Sequence, residues 1–444
     1  MGILGIIGLI IGIVLLIVLA YRGVHMLVTG LLAGLVVILT NGVNIWDTLV
    51  TGADGSSFSK NMTGFIGAYF IMFMLGAILG EFMSKSNYAK TIAVKLVDIF
   101  GVKNSVLVVL LATILVAYGG VSVFVIVFAI YPIGLYVFKQ ANISKNLMPA
   151  TILLGAGTFV MTCLPGSPAL TNVVPTSYLG TTTWAAPILG TILGIFMFIL
   201  GYAYLLWEAK RLREAGIGFE AGPNDVVEEI TAESKKDLPN FFLAIVPVIL
   251  IFVVQLIGTK NGLNANYAVC LGMLTATLFI VFTAWNRIEK KLESVNKGTT
   301  GSIGALMNTA SIVGFGGVVK AVPAFSAFTN FALALPFAPI ISATTATAII
   351  AAITTSSSGG LTMFLNMMAE GYLAKGVDPE ILHRLCAVAA GTFDSLPHAG
   401  PNVTILMVMG LTYKKAYKYM FVITCIIPTL ATILGIILAS LGIK

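Results

Sequence analysis

Residues 391–404 read Gly391-Thr392-Phe393-Asp394-Ser395-Leu396-Pro397-His398-Ala399-Gly400-Pro401-Asn402-Val403-Thr404. Helix-breaking and polar residues, one of them a carboxylate, stand here in the middle of an otherwise apolar stretch, 381–412. Outward from it the chain is apolar almost throughout. Of 444 residues 58% are apolar and 10% charged, and the mean hydropathy is +1.00. Soluble domains carry about 25% charged residues, and a membrane-spanning helix needs about 20 largely apolar ones. The composition excludes a soluble enzyme, a nucleic-acid binder and a disulfide scaffold. The net charge of +7 does not restore nucleic acid as a partner, because the basic residues lie in short segments between apolar runs. Cys163, Cys270, Cys386 and Cys425 have no metal-ligand spacing and read as small apolar filler. No metal or other cofactor is expected. Met1 to Ala20 lacks the charged start of a signal peptide and reads as a first helix.

Runs of spanning length fall at 3–20, 24–40, 63–83, 184–207, 239–257, 263–285, 301–320 and 418–441. Stretches 105–138 and 339–374 are interrupted by Gly and hydroxyl residues and read as re-entrant hairpins. Stretches 146–180 and 381–412 each contain a Pro/Gly break and read as broken crossing helices. Trp184 and Trp207 are 23 residues apart, about 34 Å of helix, which suits tryptophans at the two membrane interfaces. On this layout Arg22 and segments 85–103, 139–145, 208–238, 286–298 and 413–418 share one face with 19 of the 25 basic residues. The positive-inside rule makes that face cytoplasmic. Lys60, Lys260, Lys320, Lys375, Arg384 and Lys444 fall on the other face, and both termini lie outside, in a multi-pass protein of the cell's inner (plasma) membrane.

The two halves resemble each other at a nearly fixed offset. Gly64-Phe65-Ile66-Gly67-Ala68 aligns with Gly301-Ser302-Ile303-Gly304-Ala305. Gly119-Gly120-Val121-Ser122-Val123-Phe124 aligns with Gly359-Gly360-Leu361-Thr362-Met363-Phe364, and Gly157-Thr158-Phe159 with Gly391-Thr392-Phe393. Leu164-Pro165 matches Leu396-Pro397, while Pro168 and Thr171 match Pro401 and Thr404. The charge count sends 63–83 inward and 301–320 outward, so the repeats have opposite topology. The expected fold is an all-α polytopic membrane protein, an inverted repeat of five spans each with re-entrant hairpins and broken helices, about ten crossings plus two hairpins. Residues 1–207 form the first repeat, 208–238 a cytoplasmic linker and 239–444 the second repeat. Inverted repeats with discontinuous helices are a signature of secondary transporters.

Irregular backbone at membrane depth must line a cavity or pack inside protein. Helix N-termini facing such a gap offer N–H donors and about half a positive charge, a site for a small anion. The four breaks supply the candidate substrate-binding residues: Gly119, Gly120 and Ser122; Gly166, Ser167, Thr171 and Asn172; Ser357, Ser358, Gly359, Gly360 and Thr362; Ser395, Asn402 and Thr404. Among the carboxylates only Glu81, Glu370 and Asp394 fall within apolar segments. Glu81 and Glu370 lie near span ends, and Lys320 reads as a snorkelling lysine. Asp394 lies at a break, four residues before His398, and an intramembrane carboxylate is a functional residue by default. The pair is the candidate for proton coupling. Asp394 or His398 bracing the break by a structural hydrogen bond is the plain alternative.

Gly391-Thr392-Phe393-Asp394-Ser395-Leu396-Pro397-His398 with Gly410-Leu411-Thr412-Tyr413-Lys414-Lys415-Ala416-Tyr417, and Leu164-Pro165-Gly166-Ser167-Pro168 with Thr171-Asn172, resemble gluconate permease (GntP-type) carriers of the ion-transporter superfamily. Within that family the chain is similar to members labelled D-beta-hydroxybutyrate permease. The resemblance implies uptake of a small hydroxy or sugar-acid anion coupled to protons. It also implies a homodimer in which a transport domain slides against a scaffold as an elevator. By position it brings Ser167, Thr171 and Asn172 to one substrate motif and Ser395, Pro397, Asn402 and Thr404 to the other. The hairpin tips depart from a clean Ser-Asn-Thr, which sets sodium-coupled carriage of a dicarboxylate or citrate second to proton symport of a monocarboxylate. An intramembrane enzyme lacks support: there is no His-Glu-x-x-His and the three histidines, His25, His383 and His398, are scattered. A channel is disfavoured by the paired breaks. Entry of one uncompensated negative charge costs about 2.3 kcal/mol per 100 mV, so a coupling ion is expected.

Overall fold

The computed structural model describes residues 2–52, 57–118, 123–167, 169–222, 225, 237–325, 327 and 337–444, and among these it is helical with no strand. That is the outcome expected of a chain in lipid, where a helix satisfies its own backbone. In chain order the helices are α1 (Gly2–Tyr21), α2 (Met26–Asn41), α3 (Phe58–Lys85), α4 (Tyr88–Phe100), α5 (Ser105–Tyr118), α6 (Val123–Gln140), α7 (Met148–Ala156), α8 (Phe159–Thr162), α9 (Leu170–Leu179) and α10 (Pro187–Glu214). They continue as α11 (Phe241–Lys260), α12 (Ala265–Thr283), α13 (Lys291–Ala321), α14 (Pro339–Thr354), α15 (Ser357–Ala374), α16 (Pro379–Ala390), α17 (Gly400–Val408), α18 (Tyr413–Phe421) and α19 (Ile427–Ser440). A π-helical turn, Val422–Ile426, joins α18 to α19.

Among the described residues eight helical segments are long and apolar enough to cross a membrane, nine if the bent pair 88–118 counts as one. All eight apolar runs read from the sequence are helical. The eight qualifying segments are not quite the eight runs: α2, with 16 residues, is too short to qualify, while α6, the second arm of stretch 105–138 expected as a hairpin, does qualify. The two broken stretches are split into helices too short to qualify singly. Stretch 339–374 is the expected helical hairpin, α14 and α15 turning at Thr355 (φ 55°). Segment 85–103 is not a loop. It holds α4, which meets the following helix at 111°. Its buried residues run from Tyr88 through Val94, Lys90 and Thr91 included, with Val97 beyond them, so the segment packs despite its charges. Helix α13 begins ten residues before the apolar run that marks it, taking in much of the supposed loop 286–298.

Outer helices keep apolar stripes uncovered. On α1, Leu4, Ile7, Ile11, Val14 and Val18 are exposed at helical spacing, as are Leu271, Leu274, Leu278 and Phe282 on α12. Stripes this long on a soluble protein would be sticky patches; here they meet lipid. By contrast, every residue of α7 and all of 382–390 on α16 are buried. A helix apolar all round belongs inside, so the arms leading into both breaks lie at the centre.

Helices α1, α2, α3, α11, α12 and α13 pack together on one side; α5, α7 to α10, α14 to α16, α18 and α19 form the other; α6 and α17 lie against α3 and α13 respectively. Helices α3 and α13 run antiparallel in close contact. A Cβ on Gly298 would stand 2.8 Å from the Ile78 Cα, and one on Gly314 would stand 3.0 Å from the Phe58 carbonyl oxygen. Near the Gly298 end Lys297 Nζ meets Glu81 Oε1 at 2.9 Å, so Glu81 is tied across the two helices. Glu370 and Lys320 are exposed.

Candidate substrate and proton site

Helix α7 ends at Gly157 and the chain makes one short turn, α8, before it loosens at 163–167 and restarts as α9 at Leu170. Three side chains hold this first break. Asn172 Nδ2 donates back to the Ser167 carbonyl at 2.8 Å and to the Thr183 carbonyl at 2.9 Å. Thr171 Oγ1 donates across the gap to the Met161 carbonyl at 2.7 Å. Gly166 has φ 75°, and a Cβ there would stand 2.9 Å from the Trp184 ring, so only glycine fits. Ser167, Thr171 and Asn172 are fully buried.

The second break, 391–399, is held by the same chemistry. Asn402 Nδ2 donates to the carbonyls of Ser395 at 2.6 Å and Leu396 at 3.1 Å, and Tyr417 OH donates to the Ser395 carbonyl at 3.0 Å. Thr404 Oγ1 lies 2.6 Å from Thr309 Oγ1 on α13. Each break thus uses an asparagine amide to satisfy the carbonyls its own irregular backbone frees, which unpaired would cost several kcal/mol each.

The structure brings three of the four expected elements together. A Cβ on Gly391 would stand 3.0 Å from Thr162 Cγ2, so the breaks touch. At the hairpin of α14 and α15, the half-buried Asp394 carboxylate accepts from Ser395 Oγ at 2.9 Å and faces the hydroxyl and backbone N–H of Ser357, the first residue of α15. Ser356 caps the same helix, its Oγ accepting from Gly359 N at 3.0 Å. Ser358 is half-buried, its carbonyl accepting from Thr362 Oγ1 at 2.7 Å. Gly360 is buried where α14 passes. The first hairpin reaches its break through Tyr118 OH, which donates to the Pro165 carbonyl at 3.1 Å. Its tip, with Gly119, Gly120 and Ser122, lies outside the described residues, as does Pro168.

His398 is fully buried, and its Nε2 lies 3.2 Å from the Ala352 carbonyl on α14. Asp394 and His398 therefore bond to different partners on the same hairpin. Two buried polar atoms at this break, His398 Nδ1 and Asn402 Oδ1, have no hydrogen-bond partner among the described residues. In a hydrocarbon setting these have capacity left for a ligand or water.

Sequence reasoning missed the strongest tie. Arg384, which the charge count put on the outer face, is fully buried on α16. Its Nη1 donates to the Thr162 carbonyl at 3.1 Å, its Nη2 to Ala185 at 2.8 Å, and its Nε to Ala185 at 3.2 Å. Beside it, His383 Nδ1 lies 2.7 Å from Thr181 Oγ1 and Nε2 lies 3.1 Å from Asn172 Oδ1. The arm leading into the second break therefore holds the backbone of the first. The signal for it in the sequence is a charged residue inside the apolar stretch 381–412. At the ends of the broken helices, Lys145 Nζ pairs with Asp225 Oδ2 at 2.5 Å and donates to the Met409 carbonyl at 2.9 Å, with Tyr131 also on Asp225. Asp225 lies between α10, which runs to Glu214 and so into the expected linker 208–238, and α11; residues 223–224 and 226–236 lie outside the described residues.

Residues 4–442 match the family described as GntP family permease. The chain belongs to the GntP permease family. It is 35% identical over 410 residues to the uncharacterized transporter YxjC of Bacillus subtilis (strain 168), an alignment covering 84% of this chain and 86% of that protein. The GntP permease is accordingly a multi-pass membrane transporter, and its family implies a small organic anion as cargo. The narrower hydroxybutyrate label finds no counterpart in these matches. No group of three or more His, Cys, Asp or Glu among the described residues could hold a metal ion.

Proposed function

We propose that this GntP permease is a secondary active transporter that takes up a small hydroxy or sugar-acid monoanion, gluconate-like or 3-hydroxybutyrate-like, together with a proton. One observation carries the reading: Asp394 lies at the N-terminus of α15, facing Ser357. Helix N-termini at the breaks are the natural place for the substrate carboxylate, and at α15 the protein's own carboxylate occupies that place. Ionised Asp394 competes with the cargo for the Ser357 donors. Protonated, it releases them, so proton uptake precedes anion binding and the two travel together. Asn402 Oδ1 and His398 Nδ1 offer pairing for the cargo's hydroxyl groups, and the remaining candidate residues at the breaks, including Thr171, Ser167 and Thr404, shape the gap from behind.

Alternating access fits two inverted repeats that exchange conformations. The antiparallel pair α3 and α13, each from its own half, supports that symmetry, as do the matching asparagine braces. On this reading the α3/α13 side is a scaffold, shared in a homodimer, and the helices around the breaks move against it as an elevator. The basic segments face the cytoplasm of the inner membrane, with both termini outside.

The test is uptake of labelled gluconate and D-3-hydroxybutyrate into proteoliposomes. An acid-outside pH gradient without sodium is expected to drive accumulation above the external concentration. Accumulation driven only by a sodium gradient would replace the proton with sodium and favour the dicarboxylate reading.

A further inference from the structure

Arg384 is a cation buried at 0% exposure, and every bond it makes is to a backbone carbonyl. No carboxylate among the described residues lies within ion-pair distance of it. Glu380, one turn earlier, stands at the half-exposed start of α16 and accepts instead from the Ala186 N–H at 3.2 Å. Arginine does not lose its proton in proteins, and a buried charge left without a counter-charge is costly. Its position makes the charge relevant to transport. Arg384 and Asp394 belong to one broken helix, with about 9 Å of helix between Arg384 and the end of α16. The other ionisable groups near the pair are His383 and Cys163 beside Arg384, and Tyr417 and Cys425 beside Asp394. His398 meets α14, and the buried Lys145–Asp225 pair cancels within itself.

We infer that Arg384 is the fixed positive charge against which the cargo anion and the Asp394 proton are balanced, so that the moving unit crosses the membrane only when the charge buried at the breaks, the charge counted below, sums to zero. The inference rests on the proton symport proposed above and adds to it the residue that enforces coupling. Four states follow. Empty with Asp394 ionised, the unit is neutral. Loaded with the monoanion and with Asp394 protonated, it is neutral again. Empty and protonated it carries +1; loaded and ionised it carries −1. Only the two neutral states cross readily, so one proton moves with one anion and neither moves alone. The proton taken up outside on the Asp394 carboxylate is released inside from the same oxygen.

The experiment uses full-length protein in proteoliposomes, with labelled D-3-hydroxybutyrate and gluconate, the pH gradient and the valinomycin-clamped potential being varied separately. Wild type is expected to respond to the pH gradient and to ignore the potential. In Arg384→Gln the empty protonated unit becomes neutral and returns freely. Proton coupling is then lost, and net anion entry becomes electrogenic, its accumulation ratio rising toward about 50-fold per 100 mV inside positive. Arg384→Lys keeps the charge and should keep potential-independent coupling at a lower rate. Asp394→Asn leaves Arg384 and its bracing untouched. Its empty unit is +1 and its loaded unit neutral, so exchange of internal for external anion should be fast and independent of the potential, while net uptake should be slow and speeded by an inside-positive potential. Exchange by Asp394→Asn that depends on the potential, or that is no faster than its net uptake, overturns the assignment, as does Arg384→Gln that keeps potential-independent proton coupling. A wild type that ignores the pH gradient instead fails the symport reading itself.

Discussion

Gly360 tests whether the hairpin tip is set by close packing of its two arms. It is the fourth residue of α15, and a Cβ built on it would stand 2.5 Å from the Ala351 Cα and 2.8 Å from the Ala351 nitrogen on α14. Ordinary contact begins at 3.4 Å, so Gly360→Ala forces the arms apart by about 0.9 Å, against backbone that cannot rotate away. Overpacking of this kind costs about 1–3 kcal/mol. Replacing a helical glycine by alanine returns about 1 kcal/mol through propensity, which leaves a net loss of about 0–2 kcal/mol. The larger effect should be functional. Ser357 is three residues away, so the displacement falls on the donors that face Asp394. Losing one charge-assisted hydrogen bond there should raise the half-saturating substrate concentration about tenfold or more. Gly67→Ala on α3 is the control, because nothing lies within 4 Å of its Cβ. Uptake kinetics and thermal unfolding in detergent are compared for the three proteins. If Gly360→Ala matches both wild type and Gly67→Ala in uptake and melting, the arms are not held by that contact and the reasoning fails.

Lys145→Met should destabilise by about 3–5 kcal/mol because it strands the buried Asp225 carboxylate; Lys145→Met with Asp225→Leu should recover much of that in thermal unfolding. Asn172→Leu strands the Ser167 carbonyl and breaks the His383 contact, and should lower stability by about 1–3 kcal/mol, with His383→Leu in the same background adding less than it does alone, as a double-mutant cycle would show. Thr171→Ala and Thr404→Ala should each raise the half-saturating concentration in vesicle uptake; unchanged transport in both would make their breaks plain kinks. Gly298→Val places branched carbons against the Ile78 backbone and should lower expression and melting temperature, whereas Gly301→Val, with nothing within 4 Å of its Cβ, should leave both unaltered.

The spans were legible because lipid allows few solutions: long apolar runs must be helices, and all eight read as such are. Breaks 163–169 and 391–399 were legible too, since Pro and Gly cannot continue a helix amid apolar sequence without a reason. Helix α4 was not, because its charges, Lys90, Lys95 and Asp98, mimic a loop when counted, and that Lys90 is itself buried shows only in the tertiary arrangement. The roles within the site were hidden for a different reason. Thr171, Asn172 and Thr404 are polar residues at a break, which suits a ligand; the structure gives each a protein partner. Residue type announces a hydrogen-bonding need, while the partner that meets it, Met161, Thr183 or Thr309, is fixed only by the tertiary arrangement.

The cross-tie from α16 changes what kind of motion the molecule can make. Arg384 and His383 bind the backbone and the asparagine of the first break, while Asp394 and His398, on the same broken helix, contact the second hairpin. Pulling the breaks apart would strip a buried guanidinium of its carbonyls, a larger penalty than sliding apolar helix faces past one another. Contacts of the other helices with α13 are of a different kind, chiefly apolar, with the Thr309–Thr404 hydroxyl pair among them. The polar bonds concentrate within the group that holds the breaks, which suits the proposed elevator displacement along its boundary with α3 and α13. Sliding there leaves both asparagine braces and the guanidinium bonds intact, and breaks the Thr309–Thr404 bond, whose two hydroxyls can each fall back on a local carbonyl, as Thr404 already does with Gly400.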